Sequence, residues 1–271
     1  MRKYFLYMTI LGIVEISLSL YLTFWRESFW NFISERNVEG FITYLGIFTV
    51  IALSFCIITA SFTYAANLAA IKWRQELNQR ALLLSSTKLE NVNQRIQQDC
   101  SEYPTLVIQL GAGLLKASIY IIVFSTTLIY EFNYIYLTII ATYAIVSTYI
   151  AKRIGNPLIA INYKSQQVEA TYRNKLNPSN FDRCIVVMYD LARKLKHLQY
   201  FQILYSQLGI IIPLLIAAPA YFAAKLTLGS LMQLKSLMET IVDNMSYGIN
   251  NYDVINRLMS SRKRLTELGV L

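Results

Sequence analysis

The stretch LTLGSLMQLKSLMETIVDNMSYGINNYDVIN, residues 226–256, decides the fold class. It is as long as a membrane span and largely apolar, yet Lys235, Glu239 and Asp243 recur in it at four-residue intervals. A helical period places all three on one face and leaves Leu231, Leu234, Leu237, Met238, Ile241 and Val242 for lipid or protein. A charge turned toward lipid costs at least about 2.5–3.5 kcal/mol on insertion scales, so an ionisable row inside a span normally faces a water-filled cavity. Two readings follow. Either the helix lines a polar path, with Glu239 and Asp243 as proton-coupling candidates beside Lys235, or the row is an i, i+4 ion-pair ladder on a helix partly outside the bilayer.

Working outward, the 271 residues are 55% hydrophobic and 15% charged, with a mean hydropathy of +0.39. That places the chain among integral membrane proteins rather than ordinary soluble ones. The net charge of +9 does not indicate nucleic acid. Of 25 Lys and Arg, only Arg26, Arg36 and Lys225 fall in segments read as outer loops, whereas most of the rest follow or separate apolar runs as the positive-inside rule expects. Cys56, Cys100 and Cys184 lack paired or metal spacing, and His197 is the sole histidine, so the reading contains no disulfide frame, metal site, cofactor or histidine relay.

The spans are expected at about 4–25, 41–71, 105–130, 134–151, 199–222 and 229–256, giving an all-α integral membrane domain of six helices with both termini cytoplasmic. The first run is too long for a signal peptide and no cleavage site follows it, so it is expected to remain. Glu15 interrupts it and is a cavity candidate, or a carboxylate satisfied by Lys116 on the third span. Residues 26–40 read as an external connection. The second helix is expected to continue past the bilayer through Lys72, Trp73, Arg74, Arg80 and Lys88, because no Gly or Pro interrupts it after Gly46. A polar turn around residues 90–99 then precedes a third span opening at Pro104. Glu131 stands in the tight turn before the fourth span and is a further cavity candidate. The fifth, with Pro213 and Pro219, is expected to kink. The long inner excursions fall after the second and fourth spans.

Six helices with those two excursions look like the transmembrane domain of exporter-type ABC transporters. Trp25-x-x-x-Phe29-Trp30-Asn31-x-Ile33 resembles the aromatic motif after the first core helix of the SbmA/BacA-type peptide transporters. Lys72-Trp73-Arg74 and Glu90-x-x-x-Gln94-Arg95-Ile96-Gln97-x-Asp99 are similar to the inner-loop signature of the same group, and Glu169-Ala170-x-Tyr172-Arg173 to its element after the fourth helix. Thr227-Leu228-Gly229-x-Leu231-Met232-x-Leu234, with Ile249-Asn250, resembles its last helix. Arg95 and Asp99, like Glu169 and Arg173, are also spaced to pair on a helix, an interaction worth only about 0.3–0.5 kcal/mol.

The resemblance implies a helix-swapped homodimer in the bacterial inner membrane that imports peptides or peptide-like antibiotics on the proton gradient, a carrier rather than an enzyme. Lipid and a peptide substrate are then its partners. No glycine opens the G-x-x-x-x-G-K-[ST] pattern of a P-loop. The chain also ends soon after the sixth helix, so it is expected to lack a nucleotide-binding domain. The alternative is the transmembrane subunit of an ABC transporter whose ATPase is a separate subunit.

Overall fold

The computed structural model describes residues 2–84, 92–150, 153, 178–267 and 269–270. Helices make the whole frame, and no strand occurs among the described residues. They are α1 (Arg2–Ser34), α2 (Val38–Leu84), α3 (Val92–Glu131), α4 (Tyr134–Ile150), α5 (Pro178–Phe222), α6 (Leu228–Met245), α7 (Tyr247–Asn250) and α8 (Tyr252–Glu267). Four of them, α1, α2, α3 and α5, are long and apolar enough to cross a membrane. Large apolar side chains such as Leu53, Ile57, Leu115 and Ile122 lie open on their surfaces, the inverse of a water-soluble bundle.

The expected projection of the second helix is present as far as Leu84, and Lys88 lies outside the described residues. At 47 residues, α2 runs for about 70 Å, more than twice a bilayer's hydrocarbon thickness. The connection after α1 is far shorter than residues 26–40, because the helix continues to Ser34 and only Glu35–Asn37 turn the chain. Arg36 takes a left-handed conformation there, with φ 58°, and Asn37 N–H bonds the Phe32 carbonyl, the usual way to end a helix sharply. Pro104 lies inside α3 rather than at its start. The helix runs through it at the loss of one backbone N–H bond, to the Cys100 carbonyl, and next to it Thr105 Oγ1 bonds the Ser101 carbonyl. Residues 178–198, ahead of the fifth span, and the span itself form the single helix α5.

The segment expected as one helix over 229–256 is broken. α6 stops at Met245, and a single turn, α7, leads into α8. The sequence there, Ser246-Tyr247-Gly248 and Asn250-Asn251, is rich in poor helix formers. Tertiary contacts fix the break: Ser246 Oγ bonds both the Val242 carbonyl and the Tyr205 hydroxyl of α5.

Three packed clusters organise the bundle. The largest joins Phe124 and Leu128 of α3, Ile140 of α4, Tyr205 and Ala217 of α5, and the buried stripe Leu231, Leu234, Leu237, Met238, Ile241 and Val242 of α6. A second joins Met8 of α1, Ala65, Ala69 and Ala70 of α2, and Ile108 of α3, where small side chains let the helices approach closely. The third lies where α2, α3 and α8 meet, around Leu77, Ala81, Cys100, Leu265 and Val270. Arg74, Arg80, Arg257, Arg262, Lys263 and Arg264 belong to this last region, called here the basic end.

Candidate functional site

The α6 face that carries the ionisable row is held in place from its N-terminus. Thr227 caps the helix, its hydroxyl accepting from Ser230 N–H at 3.1 Å. Gly229 N–H donates to Asn31 Oδ1 of α1 at 2.9 Å, and Ser230 Oγ donates to Glu27 Oε1 at 2.7 Å. Two of the motifs singled out in the sequence therefore meet here. Gly229 has to be glycine for a steric reason, since a β-carbon would fall on the Glu27 carbonyl oxygen and the Asn31 side chain. Behind this contact, Trp25 stacks on Phe29 at 4.6 Å and donates Nε1–H to the Tyr44 carbonyl, while Phe29 packs on Phe41. The aromatic motif locks α1 to α2.

Below the cap, the three charges of the row part company. Lys235 Nζ and Glu239 Oε1 form an i, i+4 pair at 2.7 Å, each about a quarter exposed. Asp243 has no cation within ion-pair distance among the described residues, and it opens onto a cavity of about 510 Å³. Ser236, Thr240 and Asn244 of α6 line the same cavity, together with Ser19, Leu22 and Arg26 of α1, Phe48, Phe55 and Cys56 of α2, and Tyr120 of α3. The expected ladder is thus half an ion pair and half a cavity wall.

Arg26 is the residue that sequence reasoning missed. Assigned to an outer loop, it instead sits on α1 and directs Nη1 to Ser236 Oγ of α6, both residues lining the cavity. The signal was available: Trp25, Phe29 and Ile33 keep a four-residue apolar spacing through Arg26 with no Gly or Pro between.

Glu15 and Lys116 resolve the other way. They meet at 2.6 Å between α1 and α3, Glu15 is 6% exposed, and the Lys116 ammonium lies 4.6 Å above the centre of the Phe62 ring of α2. They bolt three helices together and stand outside the lining of the 510 Å³ cavity. Glu15 Oε2 has no hydrogen-bond partner. Glu131, exposed as the last residue of α3, is also outside that lining.

At the basic end, Asp99 is 1% exposed and takes a forked contact from Arg264 of α8, with Nε to Oδ2 at 2.9 Å and Nη2 to Oδ1 at 2.7 Å. Ser261 Oγ adds a longer contact at 3.4 Å. Arg257 and Glu102 approach within 3.6 Å, and Trp73 meets Tyr103 edge-on at 5.8 Å. The Lys72-Trp73-Arg74 motif and Asp99 thus serve one helix junction. Beside it is a polar hollow of about 730 Å³ that includes Arg74, Gln97, Gln98, Glu102, Gln109 and Arg257. Glu90, Glu169 and Arg173 lie outside the described residues, as do the side chains of Gln94 and Arg95.

Chemically, the cavity presents hydroxyls, one guanidinium and one carboxylate between aromatic walls. Such a surface can hold and release a solute. Residues 2–177 match the family described as ABC transporter transmembrane region 2. A Haemophilus influenzae protein named as an ABC transporter ATP-binding protein is 24% identical, the alignment covering 85% of this chain and 46% of that protein. The Escherichia coli inner membrane ABC transporter ATP-binding protein YddA is 22% identical over 97% of this chain and 55% of its own length. The Arabidopsis thaliana chloroplastic ABC transporter D family member 2 is 21% identical over 96% of this chain and 42% of its own. The chain therefore spans about half the length of the curated relatives it matches. On a match that takes in well over half of its residues, this all-helical, multi-pass membrane chain belongs to the ABC transporter transmembrane region 2 family.

Proposed function

We propose that this chain is the membrane-crossing part of an ABC-type transporter, in which two copies enclose a shared polar path and ATP hydrolysis on a nucleotide-binding domain or subunit drives the movement. The observation that carries the reading is that relatives named as ATP-binding transporter proteins align with nearly all of this chain and hold about as much sequence again outside the alignment. The helix junction at the basic end supports it, because force applied to α8 or to the α2–α3 extension reaches the cavity wall only if those parts move as one body. In this reading the chain crosses six times, α4 and α6 completing the four long spans. Both termini face the cytoplasm, and the membrane is the bacterial inner membrane, as the distribution of Lys and Arg suggests. The cargo class, peptides or peptide-like molecules, rests on the narrower likeness to SbmA/BacA-type proteins.

A second reading keeps the cargo and exchanges the drive. Asp243, open to the cavity and without a paired cation among the described residues, is placed to take up and release a proton as the path opens to either side. The two drives separate in one experiment. In cells producing the protein, uptake of a labelled peptide is expected to cease on ATP depletion or vanadate treatment and to persist when an uncoupler is added at constant ATP. Collapse with the uncoupler alone, together with loss of uptake in Asp243→Asn, would replace ATP by the proton gradient.

A further inference from the structure

We propose that the cavity between α1, α2, α3 and α6 is a two-ended site for an elongated zwitterion, with Arg26 receiving its carboxylate and Asp243 its ammonium. The inference goes beyond the transporter reading, from which it takes only that the cavity is open to water.

The two charges stand at opposite ends of one wall. The Arg26 guanidinium is fixed at the level of Ser236 by its bond to that hydroxyl. Asp243 follows seven residues later on the same face, about 10 Å along the axis at a rise of about 1.5 Å per residue. Between them the polar side chains are already committed. Thr240 donates to the Ser236 carbonyl, Asn244 Nδ2 donates to the Thr240 carbonyl, and Ser19 and Tyr120 bond each other at 2.8 Å. Glu239, the carboxylate nearest Arg26 on α6, is held by Lys235.

Arg26 thus has a neutral hydroxyl as its hydrogen-bond partner and no carboxylate within ion-pair distance among the described residues. A guanidinium has five N–H donors and matches a carboxylate fork, so most of its capacity is left for a ligand. Asp243 has spare acceptor capacity at the other end. The walls between, Leu22, Phe48 and Phe55, suit an apolar body, and about 510 Å³ is an ordinary volume for a small-molecule site. A guanidinium and a carboxylate, neither in an ion pair among the described residues and about 10 Å apart across an apolar floor, select a ligand bearing the complementary pair at that spacing. A peptide of about three residues with free termini and an α,ω-amino acid share this chemistry, since an extended chain advances about 3.3 Å per residue.

The test is binding to the purified full chain in lipid nanodiscs, read by calorimetry with four probes: 8-aminooctanoate, whose charges stand about 10 Å apart when extended, octanoate, octylamine, and the tripeptide Ala-Phe-Ala with free or blocked termini. The zwitterions are expected to bind at least about tenfold more tightly than either singly charged octyl probe. Amidating the tripeptide's carboxylate should weaken it by a similar factor, as should acetylating its amine. Arg26→Gln, which retains a donor for Ser236, should abolish the discrimination against amidation while leaving that against acetylation, and Asp243→Asn should do the reverse. Tight binding of 8-aminooctanoate without the tripeptide would assign the site to α,ω-amino acids, and the reverse to peptides. Equal affinity for charged and blocked probes, no binding of either zwitterion, or discrimination unchanged in both folded variants would overturn the proposal. The transporter reading would survive such a result if uptake still followed ATP, so the two fail separately.

Discussion

Replacing Lys116 by Met alone is expected to destabilise the protein by about 3–5 kcal/mol, the usual consequence of removing one partner from a buried ion pair. Glu15 is 6% exposed, one of its oxygens is already without a hydrogen-bond partner, and Lys116 supplies the only cation within ion-pair distance among the described residues. Without it, a carboxylate stands between α1, α2 and α3 with nothing to balance it. The combined Glu15→Met/Lys116→Met variant should recover most of the loss, because two apolar side chains of similar volume can pack where the pair stood and no charge needs compensation. Thermal unfolding of the four proteins of the cycle in one detergent measures this. A single replacement as stable as the parent would mean that the pair contributes nothing to holding these helices.

The second large effect is expected at the basic end. Arg264→Ala strands the Asp99 carboxylate, 1% exposed, in the junction of α2, α3 and α8, whereas Asp99→Ala leaves a guanidinium that is about one-third exposed and can turn to water. The two halves of the pair are therefore unequal. Arg264→Ala should cost about 3–5 kcal/mol and Asp99→Ala distinctly less, the residual being lost packing and hydrogen bonds. Because the contact ties α8 to the start of α3, amide exchange in α8 should accelerate more than in α6. Equal exchange across both helices would show that α8 does not depend on this contact.

How much of this was legible depends on the range of the signal. Periodicity and length reveal long helices directly, which is why the extension of α2 well past Ala70 and the Glu15–Lys116 contact could be expected from the chain alone. The motif residues Asn31 and Gly229 were visible as separate stretches, but their hydrogen bond joins positions 198 apart and has no local trace. The same holds for Asp99 and Arg264, 165 apart, where local spacing suggested Arg95 as the partner. The break after Met245 was hidden for another reason. Gly and Asn only lower helix propensity, and it is the contact of Ser246 with Tyr205 that turns a weak preference into an end. Arg26 was misplaced because a charge beside Trp25 looks like the edge of a membrane, although the apolar spacing runs on to Ile33.

The central claim, that the α6 face bearing Thr240 and Asp243 borders an aqueous path, is open to a single measurement. Cys56 lines the same cavity, so it is first replaced by Ser; Cys100 and Cys184 are buried. In that background Thr240→Cys is expected to react with a membrane-impermeant maleimide in intact membranes, while Leu115→Cys, open on the apolar outer surface of α3, is not. Thr240→Cys as inert as Leu115→Cys, in right-side-out and inverted vesicles alike, would contradict the claim.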